Sequence, residues 1–264
     1  MHKIIQTSLA IGLALVTVST ADELKVTDVE AQYAAKSDIN ASKELKQSIN
    51  FGLANTTGNT KTLNLNGKYD ASFTTVGYAN EALKVAFDAS AYMTKNDGIK
   101  DNEEYTANVG LEQYITDGWL GYAAVNWLRN TFQNYDNKIA IGIGLGKEVY
   151  NDGQHSLKLK LGTAYNYQDF SDAQATRKFG SLNEYAEYNN QLNDVSKLYV
   201  KVGAMENFKD FSNDYEVAGV IGFNFAVAQS ISVSLEEEIR YDNFPATGFK
   251  KTDTKSIVRV GYNF

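Results

Sequence analysis

Cysteine is absent from the 264 residues. That removes disulfide staples, thiolate nucleophiles, Fe–S clusters and cysteine-bound zinc together. Histidine occurs twice, at His2 and His155, which leaves little for imidazole catalysis or metal binding. Proline occurs once, at Pro245. Basic residues are no excess: 25 Lys and Arg against 32 Asp and Glu give a net charge of −7. A nucleic-acid binder would need a basic footprint that is missing here. Beyond the first twenty residues, no apolar run approaches the ~18 residues of a transmembrane helix.

What is abundant is aromatic and small. Seventeen Tyr, 13 Phe, 2 Trp and 20 Gly suit β-structure. The chain begins Met1-His2-Lys3, continues through an apolar stretch from Ile4 to Val18, and reaches Ser19-Thr20-Ala21. A basic start, an apolar middle and small residues before a cut after Ala21 are the three parts of a secretory signal peptide. Residues 22–47 follow as a charged, weakly periodic lead-in. They could enter a barrel lumen, although nothing in their own sequence places them there.

From Ser48 to Phe264 one pattern holds. Segments of about 10–13 residues alternate apolar and polar with period two. In Lys138–Tyr150, Ile139, Ile141, Ile143, Leu145 and Val149 fall on one face, and Ala140, Gly142, Gly144, Gly146 and Glu148 on the other. A helix cannot produce such stripes. About twelve segments are expected, at 48–55, 61–73, 81–94, 102–115, 119–133, 137–150, 156–168, 179–190, 197–208, 214–225, 231–242 and 252–264. The eighth is the weakest, because Glu184 falls on its apolar stripe, and the fifth is ambiguous in register. Links such as Asn96-Asp97-Gly98, Asp117-Gly118 and Asn151-Asp152-Gly153 are short turns, so successive strands are antiparallel neighbours.

Half-apolar strands suit either a soluble sandwich or a membrane barrel. Soluble strands average about 5–6 residues, whereas membrane-barrel strands need ~9–11. The longer segments, with a signal peptide, favour an up-and-down antiparallel transmembrane β-barrel of about twelve strands over residues 48–264. Trp119 and Trp127, eight residues apart on one face, would lie roughly 20 Å apart along the membrane normal, near the ~25 Å between aromatic girdles. The final Tyr262-Asn263-Phe264 has the form of a C-terminal signal through which outer-membrane barrels engage the assembly machinery. The expected setting is the outer membrane of a Gram-negative bacterium, with lipid as partner and the chain as a monomer.

Alternation assigns the lumen ten cations: Lys68, Lys84, Lys138, Lys158, Lys160, Lys197, Lys201, Arg240, Lys255 and Arg259. It also assigns nine carboxylates: Asp70, Asp88, Glu104, Glu112, Glu148, Glu187, Glu216, Glu236 and Glu238. A selective pore shows a ring of one sign. Near balance fits either a salt-bridged filling or a wet, weakly selective channel, and twelve strands lie between filled and open barrels. Glu236, Glu238 and Arg240 stand beside Lys255 and Arg259 on the inner wall, and opposite charges there are expected to pair across the ladder. No link exceeds about ten residues, so no substantial constriction loop is expected. Gly142-x-Gly144-x-Gly146 lies inside a strand, without the spacing of a phosphate loop, and reads as a smooth inner wall. His155 reads as a solvated turn residue. Asp38-Ile39-Asn40 and Asn96-Asp97-Gly98 lack the remainder of an EF-hand. No catalytic, cofactor-binding or metal residue is assigned.

Three stretches and the chain's end carry a family resemblance. They are Asn55-Thr56-Thr57-Gly58-Asn59-Thr60-Lys61-Thr62, Arg129-Asn130-Thr131-Phe132, and Lys138 to Gly146, together with Asp253-Thr254 and Phe264. With these, Ser48–Phe264 resembles the YdiY-like family, also called domain of unknown function 481 or salt-induced outer membrane proteins. The resemblance implies a barrel in the outer membrane and a link to salt or envelope stress, and it carries over no catalytic residue. The expectation is a non-enzymatic envelope protein. The alternatives are a narrow diffusion channel for small polar solutes or ions, a barrel enzyme, and a secreted sandwich.

Overall fold

The computed structural model describes residues 33–34, 43, 45–57, 62–96, 99–228 and 230–262. The signal segment, most of 22–47 including Asp38-Ile39-Asn40, the Gly58-Asn59 and Asp97-Gly98 turns and Phe264 lie outside them. Twelve strands run in chain order: β1 (Lys46–Thr57), β2 (Thr62–Val76), β3 (Ala82–Asn96), β4 (Ile99–Thr116), β5 (Trp119–Asn130), β6 (Tyr135–Asn151), β7 (His155–Phe170), β8 (Arg177–Asn193), β9 (Ser196–Asn207), β10 (Tyr215–Ala228), β11 (Ile231–Asp242) and β12 (Thr252–Tyr262). Each pairs antiparallel with its chain neighbours, and β1 pairs with β12 from Phe51↔Val260 to Thr57↔Thr254, closing the barrel. Closure leaves no sheet edge, which lipid requires because it cannot hydrogen-bond free backbone groups.

The twelve sequence segments and the twelve strands correspond one to one. With an even count, β1 begins and β12 ends at one rim, together with the 77–81, 117–118, 152–154 and 194–195 turns. The longer links at 171–176, 208–214 and 243–251 lie at the other rim. Short turns at one end and longer links at the other are usual for outer-membrane barrels.

The outer face is the apolar one. Ile141, Ile143 and Leu145 are 53–65% exposed, and they pair with Val125, Ala123 and Gly121 on β5 and with Tyr165, Thr163 and Leu161 on β7. Trp119 is outward, with the Lys147 ammonium 4.7 Å from its ring centre. Trp127 shares that face by register and donates from Nε1 to Asn137 Oδ1 at 3.0 Å. Placing a guanidinium in this belt by Ile141→Arg should cost ~2–4 kcal/mol near the bilayer midplane. Unfolding from lipid vesicles measures it, and nitroxides along 139–146 should alternate in exposure to a lipid-soluble quencher.

Glu184 does lie on the outer face. It pairs with Leu161 on β7 and Ala204 on β9. Tyr188 is four residues to one side, opposite Leu157, and Gly180 is four residues to the other, opposite Tyr165. Glu184 thus sits midway between two tyrosine levels of the lipid-facing belt. Glu184→Leu should therefore stabilise the barrel, by up to about 2 kcal/mol, in the same vesicle assay.

A packed lumen and a blind pocket at one end

Strand alternation turns one side chain in two toward the lumen, and the buried polar groups are concentrated there. Lys68, Lys138, Lys158, Lys160, Lys201, Arg240, Asp88, Glu104, Glu112, Glu216, Glu236 and Glu238 are all buried, as their parity predicts. Lys84, Lys197, Asp70, Glu148 and Glu187 are half-buried. Register puts Lys255 and Arg259 on the inner face, opposite Glu238 and Ser234.

Ion pairs join elements that are not neighbours in the sheet. Lys138 on β6 reaches across to Glu216 on β10, with both carboxylate oxygens within 2.8 Å. Lys160 on β7 meets Glu112 on β4, and Lys158 approaches the same carboxylate at 3.9 Å. Glu187 accepts from Tyr185 Oη at 2.7 Å and Asn189 Nδ2 at 2.8 Å, and stands between Lys158 and Lys201 in the ladder. Lys68 pairs with Asp70 at 2.8 Å, and Asp88 accepts from Asn108 at 2.8 Å. The expected cross-ladder pairing of β11 with the Lys255 and Arg259 side chains lies outside the described residues. Arg240 donates to Glu238, two residues back on its own strand, at 2.9 Å, while Glu236 accepts from Tyr199 on β9.

The middle of the lumen is aromatic. Tyr122, Tyr185, Tyr199, Phe179, Leu120, Ala124, Met205 and Val220 form one buried cluster with Tyr33 and Ala34. Tyr33 and Ala34 belong to the lead-in, and they lie inside the barrel. Tyr33 is 3% exposed, and its carbonyl accepts from Asn183 Nδ2 at 3.3 Å. Glycines on the inner wall make room for these rings. A Cβ on Gly203 would sit 2.2 Å from Tyr33, one on Gly222 2.3 Å from Tyr199, and one on Gly162 2.2 Å from the Tyr122 hydroxyl. The Gly142–Gly146 wall serves the same purpose, because Tyr122 lies over Gly144 and Leu120 over Gly146. The cluster also explains the ambiguity of the fifth strand: Leu120, Tyr122, Ala124 and Leu128 point inward, so both faces of β5 are apolar.

Among the described residues, this middle lines voids of about 40 and about 10 Å³. At the long-link rim, the nine residues 243–251 pack against the ends of β6 and β7. Ala246 is buried against Tyr135 and Phe170, with Phe249 beside it. Thr247 donates from N to Gln174 Oε1 at 3.2 Å, and Arg177 binds Asp214. One buried alanine at the apex anchors a link too short to plug by bulk.

At the rim of the termini the lumen opens as a pocket of about 500 Å³, whose walls include Lys84, Tyr114, Glu148, Ser156, Asn189 and Lys197. His155 stands at its edge as a fixed group, correcting the solvated reading. Its Nδ1 is 2.7 Å from Tyr188 Oη, and the two rings stack. Ser156 contacts Asn189 at 3.3 Å. In the adjoining turn, the Tyr150 hydroxyl and the His155 and Gln154 N–H groups donate to Asp152 and hold its carboxyl down to about 2. A depressed carboxyl stabilises above its unfolded pKa, so what this turn contributes is lost only as pH falls toward about 2.

The family described as "Protein of unknown function, DUF481" matches residues 49–264. The uncharacterized protein YdiY of Escherichia coli (strain K12) is 22% identical over 227 residues, 84% of this chain and 84% of its own. Among solved structures, a NanC porin is similar with a TM-score of 0.52 at 8% identity, over 82% of this chain and 100% of that one. The outer membrane phospholipase (OMPLA) of Salmonella typhi gives 0.49 at 12% identity, over 81% and 90%. The first of these likenesses is one of fold alone.

Proposed function

The chain belongs to the DUF481 family of proteins of unknown function, and from that premise and its packed lumen we propose that it is a non-enzymatic, non-conducting barrel of the outer membrane of a Gram-negative bacterium. Residues 1–21 act as a cleaved signal peptide, and lipid and the assembly machinery are the partners of a monomer. The observation that carries this reading is the filled middle of the barrel, where, among the described residues, buried ion pairs and tyrosines line voids of about 40 and about 10 Å³. A role in the envelope under salt or osmotic stress rests on the family resemblance.

Planar-bilayer recording on the refolded full chain is the test. No stepwise conductance is expected, and ohmic steps would restore the narrow diffusion channel as the better reading. Growth of a null strain across osmolarities tests the stress role, which would fall if the strain matched its parent throughout.

A further inference from the structure

The tip of the link between β11 and β12 rests far from its own strands. In the closed ring of twelve, β6 stands five strands from β11, and β7 five from β12, nearly opposite them. Ala246 and Phe249 nevertheless pack with Tyr135 and Phe170, at the start of β6 and the end of β7. Both rings of this seat face the lumen. The ammonium of the inward Lys138 is 4.9 Å from the centre of the Tyr135 ring, and Phe170 is buried with the parity of the inward Gln168. Residues 243–251 therefore cross the mouth at the long-link rim, which is the extracellular one in barrels of this layout.

The link is built to make that crossing. The chain's one proline, Pro245, precedes the seated Ala246 and fixes the backbone there. The Phe249 N–H closes a turn on the Ala246 carbonyl at 3.0 Å. Gly248, third in that turn, has a φ of 88°, as a type II turn requires. The base of the link is tied by backbone bonds, from the Asp242 N–H to the Lys251 carbonyl at 2.7 Å and from the Asn243 N–H to the Tyr215 carbonyl at 2.9 Å. Midway, the Arg177 guanidinium of β8 lies 4.9 Å from the centre of the Phe244 ring. On the far side, Thr247 donates to Gln174 Oε1 from its N–H at 3.2 Å and its hydroxyl at 3.3 Å. Between the link and Gln133, Arg240 and Asp242, the described residues leave a void of about 10 Å³. The base is thus held by main chain, whereas the tip is held by two rings and one amide of the opposite wall.

We propose that residues 243–251 are a strap that shuts the extracellular mouth, hinged at β11 and β12 and latched on Tyr135, Phe170 and Gln174. Unlatching swings the tip away and uncovers the lumen beneath the seat. The strap is a second closure, separate from the filled middle on which the proposed function rests.

The chain has no cysteine, so introduced thiols report cleanly in the refolded full chain. Q174C/T247C should cross-link, as a disulfide or through a short bismaleimide, with peptide mapping as the readout. Gln168 lies two residues below the seat and is 1% exposed, so Q168C should react slowly with a small charged maleimide. Adding A246D puts a carboxylate into the apolar seat and should speed that reaction at least tenfold. A124C, in the packed middle, should stay slow with or without A246D. Heat-modifiable gel mobility confirms folding. If the A246D chain does not fold, replacement of residues 245–249 by glycine and serine takes its place. The proposal is overturned if Q174C/T247C does not cross-link, if Q168C reacts fast with the strap intact, or if unlatching leaves its rate unchanged. An equal rise at A124C would also overturn it, since the whole barrel would then have loosened. Conductance of the wild-type barrel would sink the proposed function, and the labelling rates would still decide the strap.

Discussion

Glu112→Ala is expected to lower the stability of the barrel by ~3–5 kcal/mol. Glu112 is 0% exposed and is shared by Lys160 and Lys158. Truncation leaves two ammonium groups facing each other, away from water, with their shared counter-charge gone. The Lys160 ammonium also lies by the Tyr122 and Tyr185 rings, 5.6 and 5.7 Å from their centres. Removing the pair together should cost far less, because a buried ion pair offsets its desolvation only partly. Glu112→Met with Lys160→Met should therefore recover much of the loss. Glu103 supplies the contrast. It binds Arg129 outside the lumen, where the arginine side chain is 36% and the glutamate side chain 11% exposed, so Glu103→Ala leaves a half-exposed cation and should cost clearly less than Glu112→Ala. Chemical unfolding from lipid vesicles measures all three. Equal losses for Glu112→Ala and Glu103→Ala would mean that water reaches the lumen.

That contrast depends on knowing which residues point inward, and the sequence carried this well. A period of two is enforced residue by residue when one face meets lipid and the other does not. Slipping Ile141 by one position would turn Gly142 outward and four bulky side chains inward, so the twelve segments and the parity of nearly every lumenal charge were legible. Depth along the axis and partners across the lumen were not. Lys138 and Glu216 are 78 residues apart and meet only because the sheet closes. No local pattern encodes the curvature that brings β6 opposite β10. Where a local rule failed, the exception was informative. The double-faced β5 is the wall against which the lumenal cluster packs, and the inner-face glycines at 144, 162, 203 and 222 each lie beneath a tyrosine.

One of those tyrosines comes from outside the barrel strands, and Tyr33→Ala should cost about 3 kcal/mol, as truncating a buried aromatic does. Its ring rests on Gly203, where a Cβ would come within 2.2 Å of it. Each of the three nearest atoms to that Cβ belongs to Tyr33, so the strain of Gly203→Ala should arise from this one contact. Alone, Gly203→Ala should cost ~1–3 kcal/mol by overpacking. With Tyr33→Ala already present, the added methyl meets no ring, and its cost should fall close to zero. The double-mutant cycle should then show a coupling of about 1–2 kcal/mol. Gly222→Ala, whose Cβ would meet Tyr199 instead, should stay additive with Tyr33→Ala. A lead-in lying outside the lumen would give no coupling at Gly203 and little loss for Tyr33→Ala. Coupling at Gly203 with additivity at Gly222 would place Tyr33 on the β9 wall and make residues before the first strand part of the barrel's interior.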